Sequence, residues 1–444
     1  MKIQLSDHFT YKKLIRFVMP STIMMVFTSI YGIVDGFFVS NFAGDIPFKA
    51  VNLIMPFIMI VATVGFMFGA GGTAIVASTY GEGDKERANR YFSLFVYVTF
   101  VIGLAIAVIS FIFMRPIAQL LGASGALLDN CVLYGRVLMC SLPFVVLQYL
   151  FQSFCVAAER PNFGLAVIVS AGVTNMLLDA ILVLSLPDEH KLLGAAIATA
   201  SSQIVGGIVP LVFFFCKNST FLRLGKTKLE GRVIFRACVN GSSEFMSNVA
   251  MSVVGMLYNI QLLKYAGDDG VAAYGVMMYV SMIFAGIFFG YTMGVSPVIS
   301  YHDGAGNHKE KQGILKKSLV IVAIESIIMI IVSELLAKPL ASIFVSYSPE
   351  LLQMTVDGFR IFALCFLLMG FAIFSSGFFT ALNDGVTSAI ISFVRTLIFQ
   401  LVAVLTLPLI FGLDGIWWSV VVAELTAVIF SAVFLIAKRK RFHY

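Results

Sequence analysis

Four polar residues stand in apolar stretches of the first half of the chain, at spacings that put them on common helix faces. Asp35 follows Tyr31 by four residues, and Asp179 follows Asn175 by four. Residues four apart share a face of a helix. Two carboxylates that meet among apolar helices repel each other and lose hydration, so such a pair takes up a proton readily or holds a small cation while ionised. We therefore predict a cation-coupling site on Asp35 and Asp179.

Other polar residues interrupt the apolar stretches. Thr199, Gln148 and Gln152 are candidates to complete the polar cluster of the first half. The deep charged residues of the second half are Glu244, Glu325, Glu334, Glu424 and Arg395. A charge at mid-bilayer costs on the order of 3 kcal/mol, so each marks a functional hypothesis. The alternative is that they hold helices together or lie near the membrane surface; the position of Glu334 favours that alternative, and Glu325 stays open.

The composition places these residues in a membrane protein. The chain has 444 residues, of which 59% are hydrophobic and 12% are charged. A globule could not keep so much apolar surface out of water, so the chain belongs in lipid. The net charge of +6 comes from basic residues in short tracts between apolar segments, which indicates membrane topology and not nucleic-acid binding.

Twelve apolar segments are long enough to cross about 30 Å of hydrocarbon. Their approximate ranges are 13–39, 51–78, 91–114, 127–157, 163–186, 193–216, 234–263, 272–300, 315–344, 350–381, 387–410 and 415–437. With the N-terminus inside, about 22 of the 30 basic residues fall in inner loops and tails. We therefore expect both termini in the cytoplasm and the protein in the plasma membrane.

The two halves of the chain repeat one pattern. Shifted by 223 residues, Gly81-Glu-Gly-Asp falls on Gly304-Ala-Gly-Asn. Six segments per half is an even number, so the halves run in the same direction, related by a pseudo-two-fold axis along the membrane normal. The sequence predicts an all-α integral membrane protein with twelve transmembrane helices in two six-helix bundles. The expected domains are residues 1–216 and 233–444, joined by a cytoplasmic linker over 217–232.

The copies differ where the polar cluster lies. The repeat pairs Asp35 with Tyr258, Asn175 with Phe399, Asp179 with Ala403 and Thr199 with about Val420. The second copy therefore has apolar or aromatic residues in those places. This broken symmetry predicts that the coupling site lies in the first bundle.

No pattern of an enzyme is present in the sequence. The six cysteines include no Cys-x-x-Cys pair, and the five histidines have no metal-ligand spacing. Gly225-Lys226-Thr227 lacks the earlier glycine of a phosphate-binding loop. We expect no catalytic residues and no cofactor apart from a coupling ion.

Several segments together resemble the multidrug and toxic compound extrusion (MATE) family over essentially the whole chain. The first span, from Ser29 to Val39, resembles the family's opening helix with its acidic residue. Asn175-Met-Leu-Leu-Asp179 resembles the fifth-helix motif, and Gly194-Ala-Ala-Ile-Ala-Thr199 resembles the sixth. Ala423-Glu424 resembles a motif of the twelfth helix.

The resemblance implies two bundles around a V-shaped cavity and export of organic cations in exchange for H⁺ or Na⁺. The family's cation site matches Asp35, Asn175, Asp179 and Thr199, which would also hold Na⁺ if Na⁺ is the coupling ion. The bending proline of the first helix matches Pro20. Glu244 is the nearest match to a second-half carboxylate of some relatives, although the proline often found near it is missing here.

From these observations we predict a cation-coupled antiporter that works by alternating access. The residues that we assign to the substrate cavity are Tyr31, Gln148, Gln152, Glu244, Arg395 and Glu424. We expect small organic cations as substrates, the lipid bilayer as surroundings, no nucleic acid, and a monomer. The alternative is a lipid-linked oligosaccharide flippase of the same superfamily, which would need a basic cavity, whereas the deep charges here are mainly acidic. A sensor or scaffold is the third reading.

Overall fold

The computed structural model describes residues 3–39, 42, 44–345 and 348–444. The first two residues of the predicted N-terminal domain lie outside the described residues. Within the described ranges the secondary structure is helical, with no strand, as the composition predicts. The helices of the first half are α1 (Tyr11–Phe38), α2 (Asp45–Gly81), α3 (Lys85–Ile112), α4 (Met114–Leu120), α5 (Gly125–Ala157), α6 (Pro161–Ser185) and α7 (Lys191–Phe215).

The second half begins after an irregular stretch over 216–230. Its helices are α8 (Gly231–Gly304), α9 (His308–Val345), α10 (Pro349–Ala363), α11 (Phe366–Ala381), α12 (Gly385–Phe393), α13 (Gln400–Thr406) and α14 (Pro408–Phe442). A π-helical turn, Val394–Phe399, joins α12 to α13. We call α1–α7 the first lobe and α8–α14 the second lobe.

The prediction of twelve transmembrane helices is confirmed once two breaks are taken into account. In the described part of the chain, ten helices are long and apolar enough to cross a membrane, and the pair α10 and α11, bent by 45°, forms an eleventh span. The helix α8 is interrupted at Gly267, whose φ of 63° is not helical, so its two arms are separate spans. These two arms bring the number to twelve.

Backbone turns repeat between the lobes in the same way as the sequence. Gly44 and Gly267, 223 residues apart, both have positive φ, as do Gly83 and Gly306 at the same separation. Such a φ is strained for residues with a Cβ atom, which is why glycine stands at these turns in both copies. The duplicated halves predicted from sequence are therefore confirmed in the backbone.

The lobes pack closely near the face that carries the turns 82–84 and 305–307, which we call the terminal face. A Cβ atom on Gly71 of α2 would overlap the carbonyl oxygen of Ala237 on α8, and one on Gly241 would overlap that of Met67. On α1, Thr22 leaves similarly little room beside Gly290. Small residues allow such backbone approach between membrane helices.

Toward the opposite face, which we call the far face, the same helices have open space beside them. No atom lies within 4 Å of a Cβ built on Gly32 or Gly36 of α1, or on Gly255 or Gly275 of α8. The lobes are therefore in contact in their terminal halves, and the region between them opens toward the far face.

Candidate functional site

A buried polar cluster in the first lobe brings together residues from α1, α6 and α7. Asp35 is 6% exposed. Its Oδ1 atom accepts a hydrogen bond of 3.0 Å from the Thr199 hydroxyl and one of 3.5 Å from the Asn175 amide. Helical spacing from Pro161, which begins α6, turns Asn175 inward toward α1. The predicted residues Asp35, Asn175 and Thr199 thus form one hydrogen-bonded group.

Asp179 completes this cluster one turn after Asn175. Its side chain is fully buried, and its carboxyl group interacts directly with that of Asp35. Among the described residues, neither carboxylate oxygen of Asp179 has a hydrogen-bond partner, and the Asn175 side-chain oxygen has none either. Three buried acceptor atoms therefore face one another without a donor, an arrangement that a proton or a small hard cation would satisfy.

The donor set fits Na⁺ better than a transition metal. The described residues contain no group of three or more His, Cys, Asp or Glu side chains that could hold a metal ion. The cluster instead combines two carboxylates with amide and hydroxyl oxygens from Asn175 and Thr199. Oxygen ligands of this kind suit hard cations.

Tyr134 on α5 belongs to the cluster, although the sequence analysis did not select it. The residue is fully buried, and its hydroxyl group lies close to Thr199 and to the carboxyl groups of Asp35 and Asp179. A phenol there can donate a hydrogen bond to one of these carboxylates. The only signal in the sequence is a tyrosine inside an apolar span, which is common in membrane helices and therefore points to no particular role.

The three other first-lobe candidates lie beside the cluster. The Tyr31 hydroxyl on α1 faces Gln148 on α5, which packs against Gly206 of α7. Gln152 is buried, and both of its amide atoms are without a hydrogen-bond partner in the described part of the chain. Neither Gln148 nor Gln152 lines the central cavity described below.

Pro20 lies inside α1, which continues through it without a break. Proline has no N–H group and crowds the preceding turn, so the helix is weakest at this point. The neighbouring Ser21 and Thr22 contact α8 at Gly290. The weak point of α1 therefore coincides with its contact to the second lobe.

A cavity of about 340 Å³ lies between the lobes, mainly against the second lobe. The first lobe contributes Met25, Ser29 and Phe66, and the second lobe lines the wall with Glu244, Tyr258, Tyr274, Gln400, Arg395, Glu424 and several methionines, Met251, Met278, Met282 and Met369 among them. A second cavity of about 70 Å³ adjoins it and shares Met25, Phe66 and Glu244. The lining is mostly apolar with a few polar groups, as in sites for small molecules.

Glu244, one of the predicted cavity residues, lies where the two cavities meet. Its carboxylate has no hydrogen-bond or ion-pair partner in the described part of the molecule. Thr292 and Thr380 line the smaller cavity beside it. An unpaired carboxylate in an apolar wall attracts cations.

Arg395 and Glu424, predicted separately from sequence, form one ion pair. Nε of Arg395 donates to both Glu424 carboxylate oxygens at 3.1 and 2.9 Å, and Nη2 donates to one of them at 2.9 Å. This bidentate geometry uses the planar fork of the guanidinium group. The two charges therefore cancel within the cavity wall, and Glu244 keeps the uncompensated charge there.

Aromatic and neutral polar groups form the wall farther from the terminal face. The Tyr258 hydroxyl donates a 2.8 Å hydrogen bond to the side-chain oxygen of Gln400. The rings of Tyr258 and Tyr274 stack with centroids 5.2 Å apart. Aromatic faces and methionine side chains accept cations of varied shape.

The two remaining acids lie on α9, away from both cavities. Glu334 forms a 3.5 Å ion pair with Arg360, and both side chains are about half-exposed. Glu325 has one buried carboxylate oxygen without a partner among the described residues. The position of Glu334 agrees with the surface role that the sequence favours for it.

The chain matches known proteins along most of its length. The family model MatE matches residues 20–181 and 245–405, one region in each lobe. The multidrug export protein MepA of Staphylococcus haemolyticus is 28% identical over 431 residues, covering 96% of this chain and 93% of that protein. The MepA of Staphylococcus aureus strain MSSA476 is 24% identical over 418 residues, covering 93% of this chain and 91% of that protein.

Solved structures with the same fold include transporters of this type. An outward-facing multidrug resistance MATE family transporter of the MOP superfamily superimposes with a TM-score of 0.93 at 21% identity, covering 100% of this chain and 98% of that one. A MOP superfamily transporter from Pyrococcus furiosus, described as having a binding pocket of reverse polarity, gives a TM-score of 0.91 at 20% identity, with 98% of each chain covered.

Proposed function

The chain belongs to the MatE family of membrane transporters, and on that premise we propose that it exports organic cations, drugs among them, in exchange for H⁺ or Na⁺. The observation that carries the proposal is the buried first-lobe cluster, where Asp35 and Asp179 interact beside unpartnered acceptor atoms. Relatives named multidrug export proteins support the choice of substrate.

Coupling follows from the charge state of the cluster. Two carboxylates held together in an apolar bundle are costly while both are ionised, so binding of H⁺ or Na⁺ relieves both repulsion and desolvation. Neutralisation loosens the need of Asp35 for its Thr199 and Asn175 donors, and α1 rearranges at Pro20. Such a change drives transport only if the substrate and the ion prefer different conformations.

The substrate would bind in the central cavity. Glu244 offers the one cavity charge that no described neighbour compensates, and the stacked Tyr258 and Tyr274 offer aromatic faces. Because the Arg395–Glu424 pair is internally neutral, a cation is attracted chiefly to Glu244. We place the coupling ion in the first lobe and the organic cation against the second.

We further propose that the terminal face is cytoplasmic, because most basic residues lie in its loops and tails. The region between the lobes then opens to the outside, as release of an exported substrate requires. The protein would act as a monomer in the plasma membrane, and the domain boundaries at residues 216 and 233 stay predictions.

The lipid-linked oligosaccharide flippase is the rival function. Its pyrophosphate substrate would need an excess of positive charge in the cavity. Here the cavity contains Arg395 paired with Glu424 and the unpaired Glu244, a net negative set. Binding of a fluorescent organic cation and not of an undecaprenyl pyrophosphate analogue is the expected result; the reverse preference would support the flippase.

The test of coupling is transport by purified protein in liposomes, with a pH gradient and a Na⁺ gradient imposed separately. We expect Asp35→Asn to abolish gradient-driven efflux of a fluorescent cation while the protein remains folded. Asp414→Asn, the same change at an exposed residue, is the matched control. Wild-type efflux by Asp35→Asn would refute the assignment of the site. A gradient of one ion that drives no efflux would exclude that ion as the coupling partner.

A further inference from the structure

Residues 3–10 form a segment before α1 that we call the N-terminal strap. The strap is not helical, yet its side chains Leu5 and Phe9 are fully buried. Apolar residues of an extended segment are buried only where that segment is docked onto the rest of the protein. The strap therefore has a binding site on the terminal face.

One end of this binding site lies in the first lobe. The backbone N–H of Leu5 donates a 3.0 Å hydrogen bond to the carboxylate of Glu159. Glu159 lies in the turn between α5 and α6 and has a left-handed φ of 58°, which aims its side chain from a fixed backbone. The strap is also joined covalently to α1, so this end stays with the first lobe.

The other end is bound by the second lobe. Glu310 of α9 accepts a 2.8 Å hydrogen bond from the Phe9 N–H and contacts Nδ1 of His8 at 2.6 Å. The ammonium group of Lys317, two turns farther along α9, donates to the Phe9 carbonyl. The Phe9 ring also meets the imidazole of His302, at the end of α8, edge to face with centroids 6.4 Å apart. Both backbone groups of Phe9 are thus held by charged side chains of the second lobe.

We propose that the strap is a latch that holds the two lobes together at the terminal face and must release before that face can open. The inference rests on the proposed transport cycle, because alternating access requires opening there. Separation of α1 from α8 and α9 would pull Phe9 away from Glu310 and Lys317. The helix contacts at Gly71 and Gly290 are van der Waals packing, whereas the strap adds hydrogen bonds to charged groups across the same interface.

The expected effect is a shift in the ratio of closed to open conformations. A hydrogen bond to a charged group contributes enough to change an equilibrium constant about tenfold or more. Removal of the Phe9 ring or of the Glu310 charge should raise the population open at the terminal face by about that factor. The far face should be unaffected in the open state.

The experiment measures distances between two spin labels across the terminal face in liposomes. Labels on Glu86→Cys of the first lobe and Lys309→Cys of the second, both exposed, report the separation in a background without the native cysteines. The test variants are Phe9→Ala and Glu310→Gln. The matched controls are Ser6→Ala, an exposed strap residue, and Glu350→Gln, an exposed glutamate of α10.

A rise of about tenfold in the long-distance population of both test variants, with unchanged controls, supports the latch. Wild-type-like distances in both test variants overturn it. If Phe9→Ala does not give folded protein, Glu310→Gln decides alone, since Gln has the same shape as Glu. Failure of the proposed transport cycle looks different: the wild type then stays closed under every imposed gradient, while the test variants open.

Discussion

The Arg395–Glu424 pair permits a prediction whose size follows from the structure. We consider Arg395→Met, Glu424→Leu and the double variant. The Glu424 side chain is 3% exposed and that of Arg395 is 11% exposed, so each would lose its partner in a largely dry environment. Removal of one member of a buried pair costs about 3–5 kcal/mol, because the other charge is left uncompensated.

The two single variants should differ in a definite direction. Arg395→Met leaves Glu424 as an ionised group with almost no access to water, so its cost should lie near the upper end of that range. Glu424→Leu leaves Arg395, which lines the central cavity and can be hydrated there, so its cost should lie near the lower end. The double variant removes both charges and should recover to within about 1 kcal/mol of the wild type.

The assay is reversible unfolding in mixed micelles with increasing dodecyl sulfate, followed by tryptophan fluorescence. The two tryptophans of the chain, Trp417 and Trp418, lie on α14 about two turns before Glu424, so the signal reports on the helix that bears the pair. The interaction free energy comes from the double-mutant cycle. We expect about 3 kcal/mol or more.

A matched control exists on the surface of the same lobe. Glu334 and Arg360 also form an ion pair, but their side chains are 46% and 56% exposed. The cycle of Glu334→Leu and Arg360→Met should give at most about 1 kcal/mol. Additive losses at Arg395 and Glu424, with no recovery in the double variant, would refute the argument that the pair is held together by its burial.

Two further predictions concern packing and pH. Gly241→Ala would drive a methyl group into the carbonyl of Met67, so it should lower the free energy of unfolding by about 1–3 kcal/mol, whereas Gly255→Ala, with no atom within 4 Å, should be neutral or stabilising in the same unfolding assay. In the turn before α12, burial raises the pKa of Asp384 but its bond with Lys438 lowers it more, so the folded pKa lies below its ordinary value. The stability that this pair contributes at neutral pH should be lost as pH falls below about 4, and Asp384→Asn should lower stability at pH 7 and flatten that acid dependence; an unchanged acid profile would contradict the assignment.

The helices and the first-lobe cluster were predictable because lipid permits few alternatives. Every backbone polar group must be paired within a helix, and a carboxylate in an apolar span is too costly to be incidental. Asp35, Asn175 and Thr199 were therefore identifiable one by one, and their helical spacing turned them inward. Their hydrogen bonds in the structure agree with that expectation.

Features that depend on the meeting of distant segments were not predictable in the same way. Tyr134 is an ordinary residue of an apolar span until α7 brings Thr199 beside it. Arg395 and Glu424 are separated by 29 residues, and nothing in their local sequence shows that they pair. The N-terminal strap has no helical periodicity, so its docking becomes visible only through the acceptors that α9 and the α5–α6 turn present.

The comparison of the two copies was wrong by one residue at a position that matters. An ungapped shift pairs Asn175 with Phe399. The turns that precede these helices, at Glu159 and Asn383, are 224 residues apart, and the π-helical turn Val394–Phe399 then accommodates one extra residue, so beyond it the equivalent of Asn175 is Gln400.

This register restores a polar pair to the second lobe. Tyr258, the equivalent of Asp35, hydrogen-bonds Gln400 just as Asp35 bonds Asn175. The second copy therefore did not fill the site with apolar groups, as the ungapped alignment suggests; it kept the contact and removed the charge. A phenol and an amide have no proton to exchange near neutral pH, so this contact can fix α8 against α13 but cannot bind and release a coupling ion. The asymmetry that assigns ion coupling to the first lobe thus lies in charge, and not in the presence or absence of a polar contact.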